Sequence, residues 1–404
     1  MAIIVQKYGG SSVATAEKIK NVATRIGKVF DGGDQVVVVV SAMGDTTDDL
    51  IALAGQVTSD PHPREMDVLL STGELVASTL LAMAIRSLGY KAISLSGAQA
   101  GIKTDTSYRK ARIVKIDTKR IVAELGKGHI VIVAGFQGIT DDMDVTTLGR
   151  GGSDTSAVAL AAALGAKVCE RLTDTDGIYS ADPRIVPEAK RLAEIGYEEM
   201  LELATYGNKV MQQRAIELAE LYHIPIRVAS SFNDNPGTLI HGGVSMEVRN
   251  KVRSVAYDMD VAKISVLGIP DKPGIAASIF VPLAEAGISV DTIVQNSSVN
   301  KIADLTFTVT KDQVKDAMKV TKQLAKKLGA SNVVSDAELG KVSIVGTGMQ
   351  NTPGFAAKMF DTLSSNGINI EMISTSEIRI TCIIKESKVK EAVRALHKAF
   401  ETEE

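Results

Sequence analysis

Tryptophan is absent from this chain, and all aromatic residues together supply only 4% of it. So few rings argue against the stacking platforms on which single-stranded nucleic acids are held. Positive charge is not in excess either. The formal net charge is -3, which gives no general attraction to a phosphate backbone. Cysteine is scarce: Cys169 and Cys382 both sit in apolar, strand-like runs, so the reading is two buried free thiols in a reducing cytoplasm rather than a disulfide framework. The five histidines (His62, His129, His223, His241, His397) are scattered without metal-ligand spacing, and no Ser–His or Cys–His nucleophile pairing suggests itself. Long hydrophobic runs are missing as well. Val36–Val40 and Ile130–Phe136 are strand-sized, well short of the roughly 20 residues of a membrane helix. The start of the chain, Met1 to Lys7, has no basic region followed by a long apolar stretch, so it reads as a first buried strand and not as a secretory signal. These absences leave a cytoplasmic globular protein with neither nucleic acid nor membrane as partner.

What is present fits that class. The 404 residues are 45% hydrophobic and 23% charged, and the length implies two to three domains. Up to about residue 240, strand-like and helix-like patterns alternate. Strands are predicted at Val36–Val40, Ala92–Leu95, Ile130–Ala134, Val168–Thr173 and Ile226–Ser230. Ile19, Val22, Ala23, Ile26, Val29 and Phe30 have helical spacing, and further helices are predicted over 65–88, 109–126, 153–165 and 209–222. The fold class is therefore α/β, a mainly parallel sheet sandwiched by helices, with ligands beyond the carboxyl ends of the strands.

The rest of the chain carries an internal repeat. Lys272-Pro273-Gly274-Ile275-Ala276-Ala277 matches Thr352-Pro353-Gly354-Phe355-Ala356-Ala357 at an offset of 80, and the series continues through Leu283/Leu363, Gly287/Gly367, Ile288/Ile368, Val290/Ile370 and Ile293/Ile373. Each copy follows the α+β plan βαββαβ. The second copy ends after its last helix without a final strand, while Val252–Tyr257 is a spare strand ahead of the first. The expected division is a catalytic domain over 1–245, a first module over 262–337, and a second module built from 252–258 plus 338–404.

Three segments of the first half carry chemistry. Lys7-Tyr8-Gly9-Gly10-Ser11-Ser12 follows the first strand and precedes a helix. Paired glycines let backbone N–H groups approach an anion, and Lys7 supplies a point charge for a phosphate, although Gly-Gly after a strand is also an ordinary tight turn. Gly149-Arg150-Gly151-Gly152-Ser153-Asp154-Thr155 again leads glycines into a helix, and Arg150 suits bidentate binding of a carboxylate. Ser153 and Asp154 also serve as helix caps. Thr173–Arg184 leaves a strand for a loop, where Asp174 and Asp182 suit a hydrated Mg²⁺–phosphate complex, or simply a turn. A hydroxyl nucleophile would call for a general base, whereas a substrate carboxylate would be ionised at pH 7 and need none. Its difficulty is repulsion from ATP, which calls for cations and N–H donors.

Together with Ser41-Ala42-Met43-Gly44 and Thr72-Gly73-Glu74, these segments resemble those of bacterial aspartokinases, and the repeat is similar to their pair of ACT regulatory domains. The resemblance covers essentially the whole chain and implies the amino-acid kinase fold with two ACT modules. It implies phosphorylation of the β-carboxylate of L-aspartate by ATP with Mg²⁺, giving 4-phospho-L-aspartate. It assigns Lys7, Arg150 and Asp154 to catalysis, with Asp154 orienting Lys7. Thr47, Glu74 and Arg150 hold aspartate. Lys7, Tyr8, Gly9, Gly10, Thr173, Asp174, Tyr179, Arg184, Lys209 and Val210 line the nucleotide site, although Tyr206–Arg214 departs from the family pattern after Lys209. No side-chain metal site is implied.

Lysine and/or threonine are the implied inhibitors, at Asp271, Ala276, Val290, Asp291 and Gln295 of the first copy and Asn369, Ile370, Ser376 and Glu377 of the second. The partners implied are a homo-oligomer, or an α2β2 assembly whose β chain starts near Met246. A sister amino-acid kinase, or a catalytically silent amino-acid sensor, is the alternative.

Overall fold

Five consecutive valines, Val36 to Val40, are all fully buried. Only a central strand covered on both faces hides successive side chains in this way. The computed structural model describes residues 1–207, 210–243, 252–297, 301–350 and 352–401. They form two compact units. The first holds β1 (Ile3–Tyr8), α1 (Ala16–Asp31), β2 (Gln35–Val40), α2 (Thr46–Val57), α3 (Pro63–Ser87), β3 (Ala92–Leu95), β4 (Ile102–Thr104), β5 (Ile113–Ile116), α4 (Lys119–Gly126), β6 (Ile130–Ala134), β7 (Gln137–Ile139), β8 (Val145–Thr147), α5 (Gly152–Leu164), β9 (Val168–Thr173), β10 (Glu194–Ile195), α6 (Tyr197–Thr205), α7 (Gln213–Leu221), β11 (Ile226–Ser230) and β12 (Thr238–Ile240).

Eight strands make the main sheet in the order β10-β12-β11-β9-β1-β2-β6-β3, all pairs parallel except β11 with β12. A smaller sheet, β5-β4-β7-β8, stands beside it. Strand alternation sorts the faces. Tyr8, Val36, Val38, Val40 and Leu172 pack with α1 and α3 residues Ile19, Val22, Ile26, Leu81 and Ile85. Lys7, Val37, Val39 and Arg171 therefore turn to the other face. The alanine-rich α5 packs against β1, β2 and β9, and its residues from Gly152 to Ala161 are all buried. Small side chains let that helix lie close to the sheet.

One predicted helix needs correction. Residues 109–126 hold a helix only at Lys119–Gly126; Ile113–Ile116 is instead strand β5, paired antiparallel with β4. The run Ile113-Val114-Lys115-Ile116 is β-branched at three of four positions, which favours a strand over a helix. Helix α3 is apolar and long enough to cross a membrane by length and composition, yet half of its most apolar window is buried. Its buried Asp67 and Glu74 are features of a core helix.

The second unit comprises Ser180–Lys190, Tyr206, Gly207 and the described residues from 252 onward. Its elements are β13 (Ser254–Pro270), α8 (Ile275–Glu285), β14 (Ile293–Ser297), β15 (Ile302–Val309), α9 (Val314–Leu328), β16 (Asn332–Val345), α10 (Phe355–Ser365), β17 (Met372–Thr375), β18 (Arg379–Lys385) and α11 (Val389–Glu401). One six-stranded sheet runs β14-β15-β13-β16-β18-β17. Its two middle strands are long enough to serve both copies of the repeat. Ala262–Leu267 of β13 pairs with β15 and with the first half of β16, while Ser254–Asp258 pairs with Lys341–Val345 beside β18. The offset of 80 survives as equal burial: Ile279 and Met359, Leu283 and Leu363, and Ile288 and Ile368 are all core residues.

Ser180–Lys190 joins this unit through specific bonds. Val255 N–H donates to the Ser180 carbonyl (2.8 Å), Tyr257 Oη to Asp182 Oδ2 (3.0 Å) and Arg394 Nε to the Ile185 carbonyl (3.0 Å). The sequence reading had placed this segment wholly with the catalytic half.

Asp67 is the clearest single staple of the first unit. Its carboxylate, fully buried, accepts from Arg109 N–H (2.9 Å), Thr147 N–H (2.8 Å) and Thr147 Oγ1 (2.8 Å), tying α3 to the chain just before Gly149. Asp67→Ala leaves those donors unpaired and is expected to cost about 3 kcal/mol or more. Urea unfolding at pH 7 measures this; a change below about 1 kcal/mol contradicts the assignment.

Candidate active site

Lys7 is the penultimate residue of β1 and stands level with Arg171 on the neighbouring parallel strand β9. Two cations side by side on one sheet face repel, and an anion between them resolves the conflict. Asp154, in the first turn of α5, supplies it. Lys7 Nζ lies 2.7 Å from Asp154 Oδ1, and Arg171 Nε donates to Asp154 Oδ2 at 3.1 Å. The three side chains are 8%, 5% and 14% exposed. Burial pushes the Lys7 ammonium below its usual range; Asp154 opposes that shift and Arg171 adds to it. Burial works to raise the Asp154 carboxyl, but Arg171 and Lys7 together carry it below the ordinary carboxylate range. The helix N-terminus favours the same charge. The sequence reading had Lys7 and Asp154. It missed Arg171, whose only signal was the charged pair Glu170-Arg171 inside a predicted strand.

The glycines shape the space in front of this cluster. The place a Cβ would take at Gly9 lies 3.8 Å from the Thr173 hydroxyl oxygen and 3.9 Å from Lys7 Nζ, so Gly9 leaves open a cradle beside the ammonium. A Cβ on Gly10 would stand 2.8 Å from the Ala42 carbonyl oxygen. Gly149 and Gly151 adopt φ values of 79° and 70° on either side of the exposed Arg150, which only glycine adopts freely. A side chain at Gly151 would also collide with Gln212. The segment that departs from the family pattern is thus the one that packs onto this turn. Arg214 anchors it by donating to the carbonyls of Leu148 (2.9 Å) and Ala111 (3.2 Å).

Glu74 lies in α3, 3% exposed. Ala42 N–H donates to its Oε1 (3.1 Å), while Oε2 is buried without a hydrogen-bond partner. Burial pushes this carboxyl up to about 7, against the opposing pull of the Ala42 N–H, its own backbone N–H and the Lys7 charge. A buried oxygen of this kind suits a cationic group of a ligand. Thr47 is half-buried in the first turn of α2.

Of the residues expected on the nucleotide side, Tyr8 has its ring fully buried among the α1 and α3 residues, on the face away from Lys7, which leaves its backbone for such a contact. Thr173 Oγ1 donates to Oδ1 of the exposed Asp174 (3.0 Å). Tyr179 Oη is engaged by Asp176 (2.7 Å). Val210 is half-buried in the turn before α7, and Lys209 lies outside the described residues. Arg184 and Asp182 belong to the second unit, where they pair with each other at 2.7 Å.

Among the regulatory candidates, Asp271 and Ala276 are exposed at the turn into α8, whose cap Gly274 has φ 93°. Gln295 is exposed on the edge strand β14, with Val290 and Asp291 just before it. Asp291 is already paired with an internal amine, Lys341, which burial pushes down to about 8. In the second copy Asn369, Ser376 and Glu377 are exposed and Ile370 is half-buried. Glu377 accepts from Gln350 Nε2 (3.1 Å), and Ser376 N–H donates to the Arg379 carbonyl (2.9 Å).

The Glu74 environment has a measurable consequence. The folded state holds its proton more tightly than the unfolded chain, so stability falls as pH rises from about 4.5 to about 7. Glu74→Gln keeps the bond from Ala42 and removes the buried charge. It is expected to be more stable than the parent at pH 8 by about 2–3 kcal/mol, and equal to it at about pH 4. Denaturant midpoints at the two pH values check the sign.

Comparison with known proteins gives the family. Residues 2–230 match the amino acid kinase family, and residues 264–326 and 342–400 each match the ACT domain. An aspartokinase of Pseudomonas aeruginosa is 49% identical over 403 residues, spanning 99% of this chain and 98% of that protein. One from Corynebacterium glutamicum is 50% identical over 406 residues, with 99% and 96% covered. The crystal structure of E. coli aspartokinase III in complex with aspartate and ADP superposes with a TM-score of 0.84 at 25% identity, covering 99% of this chain and 100% of that one. Sequence likeness along the whole length and the same architecture lead to one conclusion: this chain belongs to the aspartokinases of the amino acid kinase family, ATP-using enzymes that phosphorylate aspartate.

Proposed function

We propose that this enzyme transfers the γ-phosphate of ATP to the β-carboxylate of L-aspartate, giving 4-phospho-L-aspartate, as the first step towards lysine, threonine and methionine. The observation that carries this reading is Lys7, buried and held by Asp154 beside the open face of Gly9. A carboxylate oxygen of aspartate attacks the γ-phosphorus as the bond to the leaving ADP oxygen breaks. The nucleophile is already ionised, so no side chain need remove a proton. Lys7 and the N–H groups of Gly9 and Gly10 offset the charge gathered on the transferring group. Glu74 Oε2 receives the substrate ammonium and Arg150 its other carboxylate, with Thr47 alongside.

Mg²⁺ fits the site as an ion brought by the nucleotide. Among the described residues no three His, Cys, Asp or Glu side chains cluster as a metal site. The exposed Asp174 beside Thr173 is the carboxylate suited to hold its water shell. Bound with the nucleotide, the ion would neutralise phosphate charge, and positioning falls to the protein.

The proposed catalytic domain spans 1–245 apart from Ser180–Lys190, which groups with the second unit, and the proposed regulatory modules span 262–337 and 252–258 plus 338–404. Lysine and/or threonine bind these modules and lower activity by favouring a less active arrangement. The exposed edges β14 and β17 support assembly into a homo-oligomer. An α2β2 form would use a separate chain starting near Met246, which lies outside the described residues. The cytoplasm is the proposed location.

An aspartyl-hydroxamate assay with ATP and Mg²⁺ tests the whole reading. Product is expected from aspartate and not from glutamate, and is expected to fall when lysine and threonine are added. A folded protein that binds either amino acid yet makes no hydroxamate would instead be a sensor. Lys7→Met is expected to lower kcat by about 10²–10³-fold. Loss of less than about tenfold would remove Lys7 from the reaction.

A further inference from the structure

Arg171 has no role in the account so far, yet half of the bonding capacity of Asp154 goes to it. Asp154 Oδ1 faces Lys7 at 2.7 Å and Oδ2 receives Arg171 Nε at 3.1 Å. A second guanidinium nitrogen, Arg171 Nη1, is buried with no hydrogen-bond partner. A residue kept only for stability would not leave a buried donor unused beside a like charge, since both features cost free energy. The β1–β9 register sets Lys7 and Arg171 level on adjacent strands, so the repulsion is built into the sheet and not an accident of side-chain rotation.

We propose that Arg171 is a positioning residue for phosphoryl transfer: by sharing Asp154 it fixes the direction of Lys7 and keeps the Lys7 charge from being cancelled. The physical content is a charge count. Lys7 with Asp154 alone is a neutral buried pair, poorly suited to attract the transferring phosphate. Lys7, Asp154 and Arg171 together carry one net positive charge in a site of low exposure, where such a charge acts strongly on an anion. The divided carboxylate also fixes Asp154 in one rotamer, so that Nζ is presented from a single direction beside Gly9. Like-charge proximity further pulls the Lys7 ammonium down, in the direction opposite to the pull of Asp154.

This inference rests on the aspartate kinase reading, and the test separates the two. Arg171→Gln and Arg171→Lys are compared with the parent by steady-state kinetics from pH 6 to pH 10 and by calorimetric binding of a non-hydrolysable ATP analogue. For Arg171→Gln, kcat is expected to fall about tenfold or more and the analogue to bind more weakly, with KM for aspartate little changed. The alkaline limb of the rate profile is expected to move to higher pH, because Lys7 loses its like-charged neighbour and holds its proton longer. Arg171→Lys is expected to recover most of the rate and to return the limb towards its parental position. A parent that binds the analogue but does not phosphorylate aspartate refutes the reaction and not the role in nucleotide binding. The proposal is overturned if Arg171→Gln keeps parental kcat, or if its losses track a lowered melting temperature while the alkaline limb stays in place. It is likewise overturned if Arg171→Lys is no better than Arg171→Gln.

Discussion

Everything at the catalytic end of the sheet is arranged around one buried carboxylate. Asp154 pairs with two cations that the β1–β9 register forces together, accepting a hydrogen bond from Arg171 Nε and facing the Lys7 ammonium as an ion pair, and it does so from the first turn of a helix. Burying three ions is expensive unless each finds its counter-charge at hydrogen-bond distance, so the cluster constrains its surroundings. Helix α5 must approach the sheet closely, and its run of small, buried residues permits that. The turn before it must reverse sharply, and Gly149 and Gly151 do so at positive φ. The loop after β1 leaves open space beside Nζ, which glycine at position 9 provides.

Close backbone approach is the second theme of the site. Gly10 lies against the Ala42 carbonyl, Gly73 against the Ala42 methyl, and Gly151 against Gln212. The first two contacts join the loop after β1, the loop after β2 and helix α3; the third joins the turn before α5 to the turn before α7. Glu74 shows the cost. Its charge is held in a place that disfavours it, with one oxygen unbonded, a state that persists because surrounding packing determines it.

The regulatory unit follows another economy. Two copies of one pattern share two long strands, β13 and β16, and so form a continuous six-stranded sheet. Each copy turns into its helix through a glycine, Gly274 or Gly354, at φ 93° or 110°. The copies are not equivalent chemically. Asp291 of the first meets the buried Lys341, whereas the corresponding stretch of the second places Glu371 on Lys263 at 2.8 Å.

By itself the sequence determined the periodic elements and the repeat. The reason is local: alternation, helical spacing and Gly-rich turns are properties of neighbouring residues, so Val36–Val40, Ala92–Leu95 and the offset of 80 were legible without coordinates. Cys169 and Cys382 were likewise legible as buried free thiols. Where two local signals competed, as in 109–126, the reading went to the helix and missed β5, because pairing with β4 is not a local property. Tyr8 was assigned by motif adjacency, but strand alternation sends its ring to the face away from Lys7. Only tertiary structure could decide that Arg171 shares Asp154, that Asp291 is already paired and that Ser180–Lys190 bonds to β13 and α11. Each depends on strand register or on which elements touch, and those are set by packing across the whole sheet rather than by neighbours in the chain.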